Sequence, residues 1–425
     1  VISIQAFGSS SKGNCYRIKT STNGDELLLD AGLSFKEIQR YCRFNFLHLC
    51  GVLVTHEHGD HSKAVHDLLK LGHRVYMLKD TADSLYVAGH HKAIYITPKV
   101  QFTIGNFSIL PFELEHDVPN VGFLISDGEE KLLYITDTYY CRYTFKDIDH
   151  IMVECNHSYE ILNQQVDAGY LDEKRMERLI QSHFSLENVI KFCLKNNVRR
   201  LIYVSSPSVY SAKFDRFNIK EEDFDKNNKL NFYIKSKILA EDLINKIDNQ
   251  KLETVIIRPR GLFGIGDTSL VPRLINANSK IGIPLFNDGK NVVDITCVEN
   301  VAYSLRLAME KEEANGNIYN ITNGDPTEFK NILDKLFTEL GERANYRKMN
   351  INLMYFVASV IELFYKLFRI YKEPMITKYT IATLGYSQSL NIEKAKKDLD
   401  YNPKITLEEG IKKYAEHERK KNNRS

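Results

Sequence analysis

Four side chains of ligand type fall within six residues in the stretch THEHGDH: His56, His58, Asp60 and His61. They follow the apolar run GVLV, a strand whose end can turn side chains out of a sheet into a cleft. Imidazole nitrogens and carboxylate oxygens suit a borderline cation such as zinc, or manganese where carboxylates dominate. A second spacing with chemical content lies in NFYIKSKILAEDLI, where Tyr233 and Lys237 stand at i, i+4 and share one helix face. An ammonium beside a phenol favours phenolate, which a proton-transfer tyrosine needs near neutral pH. Alone, that spacing also fits an amphipathic helix with a surface lysine.

The elements that must hold these groups change character along the chain. The first half reads as short strands (VISIQAF, CYRI, ELLLDAG, GVLVTHEH) with hairpin turns at Gly105-Asn106 and Asp127-Gly128. Its helical pieces are FKEIQRYC, SKAVHDLLKLG and, behind Ser185 as N-cap, LENVIKFCLKNN. The second half alternates strand and helix: LIYVSS, FYIKSKILAEDLINKI, TVIIRPR, VENVAYSLRLAME. That rhythm predicts a parallel sheet. The helices TEFKNILDKLFTELG and NLMYFVASVIELFYKLF come next, and the basic tail ERKKNNRS reads as a frayed terminus. The fold class is α/β, in two domains, 1–197 and 198–425, with no Pro/Gly/Ser linker between them.

Composition divides at the same place. Twelve of the 13 histidines precede residue 198, His417 being the exception. Residues 1–197 carry 20 Lys and Arg against 25 Asp and Glu, a charge of −5; the remainder carries 37 against 30, or +7. The net +2 is too small to imply a nucleic-acid or membrane partner by itself. Seven cysteines with no CxxC pair argue against a disulfide framework or thiolate zinc site and point to the reducing cytoplasm. The start at Val1 shows no charged and apolar signal pattern, so no secretory leader is expected. The longest apolar run, Leu353 to Ile361, is far short of the ~20 residues a membrane span needs.

THEHGDH resembles the HxHxDH signature of metallo-β-lactamase-fold hydrolases. LLLDAG, with Asp30, resembles the family's first motif, in which the aspartate buttresses the metal loop. His116 in ELEHD and Asp137 in YITDT resemble the third and fourth. The wording of GSSSKGNCY, LDAGLS, THEHGDH, ITDT and ECNHS is most similar to the YycJ/WalJ-like branch, linked to exonuclease activity on DNA. The resemblance covers residues 1–197 and implies an αββα sandwich with two divalent metals, zinc or manganese. His56, His58 and His116 would form one site, Asp60 and His61 the other, with Asp137 shared. Two such metals activate a water and polarise a phosphoryl or carbonyl oxygen; Asp60 would orient that water and accept its proton. The substrate is nucleic acid or, given the acidic half, a small phosphoester or acyl compound. The fifth motif's histidine is expected on the strand LIYVSSPS, where Ser206 stands instead, so the second site is expected to be one ligand short and weakened. His183 in SHFSLEN resembles a histidine near the leaving group, a general-acid candidate; a helix-capping role is the alternative. His157 reads either as support for the ligands or as structural. His66, His73, His90 and His91 read as solvent-facing.

VSSPSVY, YIKSK, RPRGLFGIGD, DITCVENVA and NIEKAKKDLDYNPKITLEEGI together resemble the extended short-chain dehydrogenase/reductases, a group of NAD-dependent epimerases, dehydratases and 3β-hydroxysteroid-dehydrogenase-like enzymes. The resemblance covers residues 198–425 and implies Ser206, Tyr233 and Lys237 as the catalytic set, with Tyr233 and Lys237 also on the NAD(P) side. The glycine-rich turn that cradles the pyrophosphate is missing, so this Rossmann-like domain is truncated and NAD(P) is not expected to bind. GLFGIG, Gly261 to Gly266, matches a later substrate-side loop instead. The leading function is a metal-dependent hydrolase of phosphodiester bonds. The alternatives are an oxidoreductase or epimerase and a catalytically impaired fusion. One strand, Leu201 to Ser206, is needed by both halves, and pairing on both of its sides would join them rigidly.

Overall fold

The computed structural model describes all residues except 21–23, 168–170, 229, 369, 371–373, 375 and 423–425, so the last three residues of the basic tail lie outside the described residues. The chain divides into two compact units, 1–159 with 173–196, and 160–172 with 197–425.

Alternation of apolar side chains builds the first unit. In β3 (Glu26–Leu29) the side chains of Leu27 and Leu29 enter one cluster and that of Leu28 the opposite one, as a strand buried on both faces requires. β1 (Ile2–Gly8), β2 (Cys15–Thr20), β3, β4 (Leu49–Leu53), β5 (Val75–Met77) and β6 (Ala93–Tyr95) form one sheet in that order, antiparallel up to β3 and parallel beyond. The second sheet runs β11-β10-β9-β8-β7. It is built from β7 (Phe102–Ile104), β8 (Phe107–Leu114), β9 (Asn120–Ser126), β10 (Lys131–Ile135) and β11 (His150–Val153). The turns at Gly105-Asn106 and Asp127-Gly128 close the β7–β8 and β9–β10 hairpins as their sequences require. Ile18, Leu27, Leu53 and Tyr76 from one sheet pack with Phe107, Ile109, Phe123 and Leu132 from the other, so the sheets lie face to face.

Helices α1 (Phe35–Tyr41), α3 (Val65–Lys70) and α4 (Lys79–Ser84) cover the outer face of the first sheet through Ile38, Leu68 and Ala82. The one-turn α2 (Gly59–Ser62) precedes α3. α5 (Tyr159–Asp167), α6 (Glu173–Ser182) and α7 (Leu186–Lys195) follow, and Ser185 caps α7 by accepting from Asn188 N–H. This is the metallo-β-lactamase sandwich.

The second unit centres on a parallel sheet of β12 (Arg200–Val204), β14 (Glu253–Pro259) and the strand Asn317–Ile321. β13 (Arg216–Ile219) and α8 (Phe232–Asn245) lie between β12 and β14 in the chain. This is a Rossmann-like sheet of the dehydrogenase type. Among the described residues β12 pairs with β14 alone, so the expected pairing on both its sides does not form. Its side chains are half-buried and Val204 is exposed, as for an edge.

Arg258 in β14 is fully buried. It is satisfied by both oxygens of Glu241, by Tyr210 Oη at 2.5 Å and by Glu221 O at 2.8 Å. The helix Ile351–Leu367 exposes Leu353, Phe356, Val360, Leu363 and Leu367. No helix among the described residues is long and apolar enough to cross a membrane.

Candidate metal centre and dehydrogenase remnant

The candidate ligands all lie just beyond strand ends. β4 runs out into Thr55, His56 and His58; α2 carries Asp60 and His61; β8 leads to His116, β10 to Asp137 and β11 to Glu154. Asp137 has φ of +47° and Asp30 +57°, left-handed conformations that cost on the order of 1–3 kcal/mol and are tolerated where the surroundings enforce them.

Asp30 is the hub that holds the loop. Its Oδ1 accepts from Thr55 N–H at 2.9 Å and Thr55 Oγ1 at 3.0 Å; its Oδ2 accepts from Tyr134 Oη and lies 2.7 Å from His61 Nδ1. The buttressing role expected from the resemblance therefore has a concrete form: Asp30 orients His61 with Nε2 facing Asp137 Oδ2 at 3.0 Å.

Two donor sets share Asp137. His56, His58, His116 and Asp137 each bring one atom within 4.8 Å of the others, and so do Asp60, His61 and Asp137. His56 Nε2 is 3.1 Å from His58 Nδ1 and 3.4 Å from Asp137 Oδ2, and His116 Nε2 is 3.4 Å from His58 Nδ1. Tetrahedral ligands bonded at about 2.0–2.1 Å stand roughly 3.3 Å apart, so these separations fit a shared cation.

Electrostatics agree. Burial, reinforced by the neighbouring His61, pushes His56 well below the usual imidazole range, and burial lowers His116, so both favour the neutral ligand form. Burial opposes ionisation of Asp137, but His61, His56 and His183 outweigh it and hold the carboxyl low. For His61 the balance runs the other way: the carboxylates of Asp30 and Asp137 outweigh burial and raise it well above its usual value, so a cation there must displace its proton.

The structure places Ser206 away from the second donor set and a different histidine near Asp137. Ser206 belongs to the second unit, where its Oγ lies 2.6 Å from Ser208 Oγ, because its strand pairs with β14. Besides His56 and His61, a third histidine stands near Asp137: His183, between α6 and α7, with Nδ1 3.7 Å from Asp137 Oδ1 and 2.7 Å from Glu154 Oε1. Asp137, Glu154 and His183 form a third donor group. Glu154 also accepts from Asp137 N–H at 3.0 Å; burial raises its carboxyl pKa.

Glu154, Asp117 and Asn14 were not singled out from the sequence. Asp117 Oδ1 lies 3.1 Å from His116 Nε2, and Asn14 Nδ2 3.0 Å from His61 Nε2. The only cue was position, next to a motif residue or just past a strand. His157 is half-buried with Nε2 unpartnered, and burial pushes its imidazole down to about 4. His66 and His91 are exposed; His73 and His90 are half-buried, His73 against Phe46.

In the second unit Tyr233 and Lys237 share a face of α8, with Lys237 Nζ 5.8 Å from the Tyr233 ring centre. Lys237 also donates to Tyr203 Oη at 3.2 Å and Val204 O at 3.1 Å, close to the end of β12 that leads to Ser206. Tyr233 is half exposed.

Known proteins resemble the two halves separately. The chain matches the Beta-lactamase superfamily domain over residues 26–204 and the 3-beta hydroxysteroid dehydrogenase/isomerase family over residues 181–351. It is 34% identical over 224 residues to the uncharacterized protein YbjS of Escherichia coli, covering 51% of this chain and 66% of that one. It is 32% identical over 238 residues to the decarboxylating sterol-4-alpha-carboxylate 3-dehydrogenase erg26 of Schizosaccharomyces pombe, covering 53% of this chain and 68% of the relative. Among solved structures, the metallo-beta-lactamase fold protein YhfI of Bacillus subtilis aligns at 17% identity with a TM-score of 0.38, over 47% of this chain and 84% of that one. The chain thus spans about two thirds of these two relatives, and its first half is a domain they do not account for. It belongs, through its second half, to the 3-beta hydroxysteroid dehydrogenase/isomerase family, joined behind a metallo-β-lactamase domain.

Proposed function

We propose that the first unit is a metal-dependent hydrolase of phosphodiester bonds. The convergence of His56, His58, His116 and Asp137 carries this reading, with Asp60, His61 and His183 around the same shared carboxylate. A pair of divalent cations held there supplies Lewis acidity toward a phosphoryl oxygen and acidifies a water. The protein's own part is positional. Asp30 fixes the His61 ring, Glu154 fixes Asp137 and His183, and Asp60, partly open to solvent, is placed to take the proton of an attacking water. The motif resemblance to the exonuclease-linked branch favours phosphodiesters over acyl substrates.

Metal analysis together with hydrolysis of bis-p-nitrophenyl phosphate and a p-nitrophenyl ester tests this. About two metals per chain and faster phosphodiester turnover are expected, both lost in His58→Ala. Preferred ester cleavage, or metal content unchanged in the variant, would sink the reading.

A second reading rests on Ser206, Tyr233 and Lys237 at the end of β12 and on one face of α8: an oxidoreductase or epimerase site in the second unit. It needs a nucleotide-binding turn that the sequence of this chain lacks. Calorimetric titration with NAD and NADP separates the two: micromolar affinity establishes the second reading, and no heat removes it.

A further inference from the structure

The helix Ile351–Leu367 in the second unit is apolar on two opposite faces, and protein covers one of them. Ala358 is fully buried, and Ile351, Met354 and Tyr355 pack beside it against Phe286, Ile381 and Leu384. On the other side Leu353, Phe356, Val360, Leu363, Phe364 and Leu367 fall at helical spacing into a single stripe. All six are more than half exposed, Phe356 at 66% and Leu367 at 74%. The stripe runs for ~21 Å along the helix. Phe364 extends it to Phe368, with ring centres 4.4 Å apart. Single apolar side chains on a surface are ordinary, but a contiguous row of this kind marks a face that is covered in use.

Charge decides what covers it. Glu362, the one acidic residue of the helix, is turned toward the protein: it accepts from Lys378 N–H at 2.7 Å and pairs with Lys378 Nζ at 3.0 Å. Residues 341–378 carry seven Lys and Arg against three Glu, a charge of +4 in a chain whose net charge is +2. Arg343, Arg347 and Lys348 are exposed just before the helix. The segment leading into β13 adds Lys213, with Nζ 4.4 Å from the Tyr355 ring centre, and next to it the exposed Phe214. A second copy docked on this face would bring two basic flanks together, which disfavours a self-interface. Apolar side chains framed by lysine and arginine suit an anionic lipid surface, where the rings enter the acyl boundary and the cations meet headgroup phosphates. At about 1.5 Å per residue the 17 residues reach ~26 Å, short of the ~30 Å hydrocarbon core, and one face is held by protein. The helix therefore lies in the interface and does not cross it.

We propose that the exposed stripe of the helix Ile351–Leu367, with Lys213 and Arg347 beside it, seats the second unit on the surface of an anionic bilayer. The docking requires neither metal nor nucleotide, and it stands apart from the hydrolase reading.

The test uses the full chain with vesicles of phosphatidylcholine alone and of phosphatidylcholine containing a third phosphatidylglycerol. The wild type is expected to sediment with the anionic vesicles at least tenfold more tightly than with the neutral ones, and less so as salt rises. The chain contains no tryptophan, so Phe356→Trp supplies a single reporter. Its emission should shift to shorter wavelength on anionic vesicles and be quenched by lipids brominated on the acyl chains. Tyr86→Trp, at a 93% exposed site in the first unit, should do neither. Leu363→Ser with Leu367→Ser should weaken binding at least tenfold, whereas Leu47→Ser, an exposed leucine of the first unit, should leave it unchanged. Lys213→Glu with Arg347→Glu should erase the preference for phosphatidylglycerol. Absence of binding to anionic vesicles, equal losses in the Leu47 and Leu363/Leu367 variants, or a reporter at 356 that stays unshifted and unquenched each overturns the proposal. So does a dimer in sedimentation velocity that Leu363→Ser dissociates and vesicles leave intact, which would make a second copy the cover.

Discussion

His183 and Ser206 show how a residue's role depends on the sheet its neighbours join. Counted along the chain, Ser206 occupies the strand position where a last ligand is expected. In space its Oγ meets Ser208, while His183 Nδ1 stands 3.7 Å from Asp137. The physical reason is that β10 and β11 run parallel and end side by side, presenting Asp137 and Glu154 together, and the α6–α7 junction brings His183 onto both. His183→Ala is therefore expected to reduce bound metal from about two to about one per chain. Ser206→His should leave metal content and phosphodiesterase rate unchanged. A gain of metal or rate in Ser206→His, measured by elemental analysis and initial rates, would restore the sequence-based assignment. The THEHGDH residues were legible because all four sit on one short loop. Glu154 and Asp117 were not, because only the fold brings them to Asp137, His183 and His116.

At the scale of elements, the metal loop is clamped against the segment after β3. Asn14 N–H and Ala31 N–H donate to the carbonyls of Asp60 and His61, both at 2.7 Å. Gly32 makes this approach possible: a Cβ there would lie 1.7 Å from Asp60 O and 2.2 Å from its carbonyl carbon, both rigid backbone atoms. Gly59, one residue from His58 in the same loop, has nothing within 4 Å of its would-be Cβ. Gly32→Ala should therefore push α2 away from its support, weaken metal binding at least tenfold in a chelator competition and destabilise the unit by about 1–3 kcal/mol. Gly59→Ala should change neither. Equal effects of the two substitutions would mean that the loop is not set by this contact. Elements with local signals were legible in advance: the two hairpins from their turn dipeptides, α7 from its serine cap. The fate of β12 was not. A short apolar run states that it will pair, but the partner strand is chosen by the helix that follows it, and α8 returns the chain to β14.

At the scale of the molecule, residues 181–204 fall within the matches to both families, so α7 and β12 form a helix–strand passage that either fold can use. α7 is nevertheless counted with the first unit and β12 with the second. Each unit has its own core: Ile18, Leu53, Phe107 and Phe123 in one, Val255, Ile257, Tyr319 and Ile321 in the other. Separate cores predict separate cooperative transitions, and the two can be labelled independently. A metal at about a thousand times its dissociation constant stabilises the unit that binds it by about 4 kcal/mol. For a domain of this size that is a shift on the order of 10 °C. Chelation should lower only the transition of the first unit. Arg258→Met strands the buried carboxylate of Glu241, a loss of about 3–5 kcal/mol, and should lower only that of the second. Calorimetry of the intact chain reads both. A single transition, moved by chelator and by Arg258→Met alike, would show instead that the α7–β12 passage couples the two cores into one folding unit.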